Sequence, residues 1–354
     1  MKMSISLVMI AKNEENNLFS CLNSIKELVD ELIVVDTGSN DKTKEIASDI
    51  GANVYDFEWN NDFSEARNYA LAQSKSDWNL VLDADEQVID WDVDQINSLL
   101  YSGTFIGRIN IKSKFVQNNE VKESQAYISR LIPRGVSYKG RIHEQIHSDL
   151  PRIDLPIEIY HSGYYQTDKS KRNLHLLELE LLSFPENPYI LYQIARQYKA
   201  VNRVIEAKDY FSKSYFFANK DDSYFGDLAV NYLYTLIDTK DFTRAFAVIN
   251  EVKSELLYLP DFHFVSGIFF MNFVLSDINT NISYLPRIEE SYLNCLSLGE
   301  QGAREIVIGT GNFLAAYNLA VYYEMFKQEQ KAKFYYEYSA QFGYQPAVNR
   351  LSRL

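Results

Sequence analysis

Short apolar runs alternate with helix-period stretches along roughly the first 90 residues. "SISLVMI" (Ser4 to Ile10) reads as a strand, and "NEENNLFSCLNSIKEL" as a helix with Leu18, Leu22, Ile25 and Leu28 on one face. "DELIVVD" is a second strand. "SNDKTKEIASDIG" is a second helix, opened by Ser39 or Asn40 and closed by Gly51. "ANVYDFEW", "DFSEARNYALAQS" and "WNLVLDADEQV" supply a third strand, a third helix and a fourth strand. Trp78 to Leu82 are largely apolar, as a strand covered on both faces would be. This order predicts an α/β layer with a mostly parallel sheet and helices on both sides. From about residue 100 to 165 the strands shorten ("FIGRINIKS", "SQAYISRLIPR", "SYKGRIHEQI", "IEIYHSGYY") and extend or flank that sheet.

After "DKSKRNLHLL" the pattern is helical to the end, and part of it repeats. Ala195, Tyr198, Ala207, Phe211 and Ser214 fall on the small or aromatic positions of a helix-turn-helix unit of roughly 34 residues. Ala320, Tyr323, Ala332, Tyr336 and Ser339 repeat the same offsets. The stretch between keeps the helical period in a degenerate form, which predicts stacked helix pairs in a small solenoid.

Composition narrows the function. A net charge of −13 rules against non-specific nucleic-acid binding. Two distant cysteines, Cys21 and Cys295, exclude a disulfide framework or zinc module and suit a reducing cytoplasm. "MKMSISLVMI" mimics a short signal peptide, but a first strand explains it equally well, and no run approaches the ~20 residues of a membrane span.

The chemistry concentrates where strands end. Asp36 closes the second strand, and Asp83, Asp85 and Glu86 crowd the end of the fourth. Carboxylates this close repel unless a cation or ligand donors take up their charge. An extended Asp-x-Asp places both carboxylates on one side, which suits Mg²⁺ or Mn²⁺ completing its shell with phosphate oxygens.

Five elements in order, "MIAKNEE", "ELIVVDTGSNDKT", "DFSEARNYAL", "WNLVLDADE" and "YKGRIHEQI", resemble the family 2 glycosyltransferases, whose nucleotide-sugar domain is the Rossmann-like GT-A fold. With its tetratricopeptide-like tail, the chain is similar to the sub-group that includes the sublancin-type peptide S-glycosyltransferases. The resemblance implies a GT-A domain over residues 1–168 and a helical-repeat domain over 169–354. It implies that Ala11, Lys12, Asn13 and Glu14 cup the nucleotide base, with Asp36 accepting from the uracil N–H. Many relatives carry Tyr where this chain has Ala11. Arg67 would face the base or diphosphate, Asp83 and Ala84 the donor, and Arg141 the diphosphate. Asp85 would bind the metal, with His161 as a further ligand. Glu144 is the candidate base, and His143 a donor to phosphate or substrate. Lys169, Lys171 and Arg172 are either the charged opening of a helix or a cationic element near the diphosphate. Tyr164 and Tyr165 would stack on sugar or acceptor, or pack.

The function expected is metal-dependent, inverting transfer from a UDP-sugar to an acceptor. A peptide Cys or Ser is one acceptor class; cell-envelope glycans and lipid-linked sugars are others. Helical repeats also leave room for homo-oligomers. Two rivals come from other classes: a nucleotidyltransferase, which would want a Gly-rich loop after the first strand where "AKNEENN" has no Gly, and a repeat scaffold carrying an inert first domain. An Asp85→Ala change separates the transferase from the scaffold.

Overall fold

The computed structural model describes residues 3–117, 120–161, 170–300 and 305–353. Two compact units divide the chain, Met1–Glu180 and Leu181–Leu354. The proposed sugar- or acceptor-stacking Tyr164 and Tyr165, and Lys169, lie outside the described residues.

The first unit runs β1 (Ile5–Ala11), α1 (Leu18–Ile25), β2 (Glu31–Asp36), α2 (Thr43–Asp49), β3 (Asn53–Asp56), α3 (Phe63–Gln73) and β4 (Trp78–Val81). It continues with β5 (Glu86–Trp91), α4 (Val93–Ser102), β6 (Ile106–Gln117), β7 (Glu120–Pro133), β8 (Ser137–Lys139), β9 (Gln145–His147) and β10 (Arg152–His161). The main sheet has the order β3-β2-β1-β4-β7-β6-β10-β5. Its first four strands are parallel, as the β-α alternation predicts. β7 is antiparallel to β4 and β6, and β5 to β10, so the sheet is mixed.

β1 shows why these strands form. Leu7, Met9 and Ala11 pack with Leu18 and Leu22 of α1, while Val8 packs with Ile33, Val35 and Ala70 on the other face. Each such side chain, fully buried, contributes about 1.5–3 kcal/mol. Both faces are covered, so the run is apolar throughout rather than alternating.

Three local expectations change. The first helix spans only Leu18–Ile25, because Asn13 is left-handed (φ 56°) and its amide and side chain bond to Ser39 Oγ and the Asn40 N–H instead. The second helix starts at Thr43, not at Ser39 or Asn40; Asp41 accepts from the Thr43 N–H. The fourth strand ends at Val81, and the acidic residues lie in a turn closed by Glu86 N–H to Asp83 O at 3.0 Å. Asp83 and Asp85 therefore do not share one side of an extended strand.

α5 (Ser170–Ser183) leads into the second unit, where α6 (Pro188–Ala200) pairs with α7 (Val204–Phe217), and α8 (Phe225–Asp238) with α9 (Phe242–Val252). α10 (Pro260–Ser276), the short α11 (Ile278–Asn281) and α12 (Leu285–Leu298) follow, then a three-residue strand, β11 (Glu305–Val307). α13 (Phe313–Met325), α14 (Glu329–Ala340) and α15 (Gln345–Leu351) close the chain. Among its described residues the unit is thus helical apart from that strand. All ten repeat residues singled out in the sequence are buried. Ser214 Oγ donates to Pro188 O at 2.7 Å, and Ser339 Oγ makes the equivalent bond to Phe313 O at 2.8 Å. Tyr198 stacks on Tyr210 and Tyr323 on Tyr335 in the same relation. Left-handed residues, Asn202, Lys240 and Lys327, turn three of the pairs.

Candidate active site

The carboxyl ends of β1 and β2 stand in register, with Ala11 opposite Asp36. Asp36 is 2 % exposed. Its Oδ2 accepts from the N–H groups of Gly38 (3.0 Å) and Ser39 (2.9 Å). Oδ1 is buried and has no hydrogen-bond partner. A buried carboxylate oxygen left this way costs free energy unless a ligand donates to it. The loop after β1 is tied to the same turn: Asn13 to Ser39 and Asn40, and Glu14 N–H to Thr43 Oγ1 at 2.7 Å. Ala11, Asn13, Glu14 and Asp36 are thus gathered on one rim.

A second group forms around the turn after β4. Asp83 Oδ1 lies 2.8 Å from Arg67 Nη2, and Oδ2 lies 2.9 Å from Arg130 Nη2. The same Arg130 nitrogen reaches Glu86 Oε1 at 2.6 Å, while Glu86 Oε2 accepts from the Asp83 N–H. Arg67 also pairs through Nε with Glu144, and its guanidinium stands 5.8 Å from the Tyr138 ring. Burial opposes the charge on Asp83, but Arg130 and Arg67 outweigh it and hold its carboxyl well below the usual range. Burial pushes Glu86 up to about 7, with Arg130 pulling against it and Asp83 adding to it. For Arg67, burial is more than offset by Asp83 and Glu144, and its pKa rises further. Cys21 Sγ lies 3.5 Å from Asp83 O, bracing the turn from α1.

Asp85 turns the other way. Its Oδ2 lies 3.3 Å from His161 Nε2 at the end of β10, and His161 Nδ1 lies 3.3 Å from Ser113 Oγ. The hydrogen bond to Asp85 raises the His161 pKa despite burial. Among the described residues no group of three or more His, Cys, Asp or Glu is placed to hold a metal. Two donors about 3 Å apart nevertheless fit one divalent cation at ~2.1 Å from each, with the second ring nitrogen held by a hydroxyl. The remaining coordination positions suit phosphate oxygens and water.

The structure thus brings Arg67, Asp83 and Glu144 together, and separately Asp85 with His161; Ala84, buried, joins the two at the turn. His143 is left-handed (φ 51°) between β8 and β9, so "RIHE" is a turn rather than a strand. Arg141 leads elsewhere, to Asn61 O at 3.0 Å and Glu180 at 3.8 Å. His147 is exposed. Arg130 and Glu86 were not singled out for these roles in the sequence. The available signal was an arginine inside the apolar strand "YISRLIP", where a buried charge demands a buried partner.

The family model described as Glycosyl transferase family 2 matches residues 6–147. A TPR repeat-containing protein of Synechococcus elongatus is 53 % identical over 85 residues, covering 24 % of this chain and 21 % of that one. The SPbeta prophage-derived glycosyltransferase SunS of Bacillus subtilis is 29 % identical over 227 residues, covering 60 % of this chain and 53 % of that one. The chain therefore spans about half or less of the length of these curated relatives. Among solved structures, glucosyl-3-phosphoglycerate synthase of Mycobacterium tuberculosis is 30 % identical over 33 % of this chain and 45 % of that one. Its TM-score of 0.26 is too low to bear on the fold.

Proposed function

We propose, from the premise that residues 6–147 are a glycosyltransferase family 2 domain, that this protein transfers a sugar from a UDP-sugar to an acceptor with inversion at the anomeric carbon. The observation that carries the donor assignment is Asp36 Oδ1, a buried acceptor without a partner at the end of β2. The N3–H of uracil is the donor that suits it, whereas cytosine at the same position is an acceptor and would be repelled. Asn13 and Glu14 close the base side, and the Asp83–Ala84–Asp85 turn faces the sugar and diphosphate.

Asp85 and His161 would hold a divalent metal, whose role when bound is to neutralise charge on the departing diphosphate. Arg67 and Arg130 keep Asp83 ionised and the turn fixed. Arg67 takes Oε1 of Glu144, and Oε2 is the atom we assign to receive the acceptor's proton. The acceptor heteroatom forms its bond to C1 from the face opposite UDP, the C1–O bond to diphosphate breaks, and the proton passes to Glu144. His143, the residue before Glu144, is the one we assign to orient the substrate.

A peptide recruited by the repeat unit is the acceptor we favour, in a chain similar both to a glycosyltransferase and to a TPR repeat-containing protein. A Cys thiol, with an ordinary pKa of ~8.5, asks less of a base than a Ser hydroxyl. Both of the protein's own cysteines are buried free thiols, which supports a reducing cytoplasm.

The test is UDP release from a panel of UDP-sugars, with Mn²⁺, Mg²⁺ or EDTA, alongside UDP binding, in wild type and Asp85→Ala. Metal-dependent release from one sugar, lost in the variant, is the expected result. Neither release nor UDP binding overturns the reading and leaves the scaffold.

A further inference from the structure

A diphosphate binding beside this turn meets a strongly negative surface. Asp36, Asp83, Asp85, Glu86 and Glu144 supply five carboxylates, while the buried cations among them are the two guanidiniums of Arg67 and Arg130. Both of those are ion-paired, and the donor atoms they have left over, Arg67 Nη1 and Arg130 Nε, are buried. Arg67 is divided between Asp83 and Glu144, and Arg130 between Asp83 and Glu86. Arg141 spends its bonds on Asn61 and Glu180. Even with a divalent metal at Asp85, a ligand carrying two to three negative charges requires a further cation nearby.

Arg172 on α5 is, among the described residues, a guanidinium whose charge is left over. Its described hydrogen bonds go to the neutral Oδ1 of Asn173, at 3.2 Å from Nε and 3.0 Å from Nη2. Among the described residues no carboxylate forms an ion pair with it; partial desolvation lowers its pKa, with Glu14 pulling the other way. The side chain is exposed. Its position, however, is defined: Cζ lies 5.2 Å from the centroid of the Phe63 ring. Phe63 is the first residue of α3, and Arg67 of the same helix, one turn on, reaches Asp83. Phe63 is itself fixed, its N–H bonded to Arg141 O at 2.8 Å and its ring 4.8 Å from Trp59. Glu14 belongs to the loop that meets Ser39 and Thr43 beside Asp36. Arg172 thus lies against the first turn of the helix that supplies Arg67.

We propose that Arg172 is a donor-binding residue, its guanidinium taking non-bridging oxygens of the donor's diphosphate while Phe63 holds its plane. The inference rests on the UDP-sugar reading above and adds to it a residue outside the segment matched by the family model. A planar guanidinium exposed to solvent and lying over an aromatic ring is suited to bidentate phosphate recognition. It does not compete with the metal, because the diphosphate presents oxygens on both phosphorus atoms.

The experiment is a ligand series, uridine, UMP and UDP, titrated by calorimetry against wild type, Arg172→Gln and Arg172→Lys, each with Mn²⁺ and with EDTA. Melting curves check that the variants fold. Arg172→Gln is expected to weaken UDP binding by about 10- to 100-fold, the range for a hydrogen bond to a charged group, and to leave uridine binding unchanged. Arg172→Lys, which keeps the charge but loses the planar fork, is expected to recover part of the loss. The same UDP affinity in Arg172→Gln as in wild type overturns the proposal. So does an equal loss for uridine and UDP, which would make Arg172 a wall of the base pocket. A wild type that binds no UDP at all fells the donor reading itself, a result distinct from either.

Discussion

Arg67 Nη2 and Asp83 Oδ1 meet at 2.8 Å with the arginine side chain only 9 % exposed, so a buried charge on α3 is neutralised by the turn that follows β4. Because Glu144 shares the same guanidinium, one arginine ties three elements of the first unit together. Removing it strands Glu144 and leaves Asp83 with Arg130 alone. Arg67→Met is expected to destabilise the first unit by about 3–5 kcal/mol, the cost of breaking a buried pair from one side. Urea unfolding followed by fluorescence measures it. Arg67→Met combined with Glu144→Gln should recover part of that loss; if the double variant is no more stable than the single, the Arg67–Glu144 pair is not the source.

Asp36→Asn separates recognition from folding. The amide oxygen can still accept from Gly38 and Ser39, but an NH₂ then occupies the place of Oδ1 and faces the uracil N3–H donor to donor. UDP affinity is expected to fall about tenfold or more, with stability changed by no more than about 1 kcal/mol. Retention of UDP affinity in a folded variant would remove Asp36 from the base site.

The two serine bonds test whether the repeats are physically equivalent. Ser214→Ala and Ser339→Ala each remove one buried hydroxyl bond to the carbonyl of a helix's first residue. Each is expected to cost about 0.5–1.5 kcal/mol, and the pair to add, since the sites share no partner. Unequal costs in chemical denaturation would mean that the helix pairs differ in packing despite the shared offsets.

Arg350 grips Glu324 with two bonds, 2.9 and 2.6 Å, joining α15 to α13. The hydrogen bond from Arg350 lowers the Glu324 pKa, against the opposing effect of burial, and Tyr336 adds to the lowering. A depressed carboxylate stabilises above its unfolded pKa of ~4.3, and that contribution is lost as pH falls through the lower folded value. Arg350→Ala is therefore expected to cost about 0.2–1 kcal/mol near pH 7, as exposed pairs do, and almost nothing in strong acid. Unfolding curves of both proteins at the two pH values decide it; a difference that persists in acid would belong to lost packing.

Periodicity and strand-end chemistry carry far in this chain. The strand–helix alternation of β1 to β4, the end of β2 at Asp36 and the ten repeat positions could all be read without coordinates, because each depends on neighbours within a few residues or on a fixed offset. The acidic run was also legible as a place where charge must be compensated. Its geometry was not. "WNLVLDAD" is apolar far enough to look like one long strand, but Glu86 folds back onto the Asp83 N–H and closes a turn. That bond requires Glu86 to be buried beside Arg130.

The sequence by itself therefore determined the strand–helix alternation from β1 to β4, the parallel half of the sheet, the repeat unit and the identity of most charged groups around the crevice. Only the tertiary structure decided which charge answers which. Arg130 reaches Asp83 and Glu86 because β7 lies antiparallel beside β4, with Leu131 opposite Leu80. His161 reaches Asp85 because β10 is paired with β5 in a register that sets it opposite Glu86. Strand registers between distant segments are fixed by packing over the whole sheet, and a shift of one residue would send each of these side chains to the opposite face.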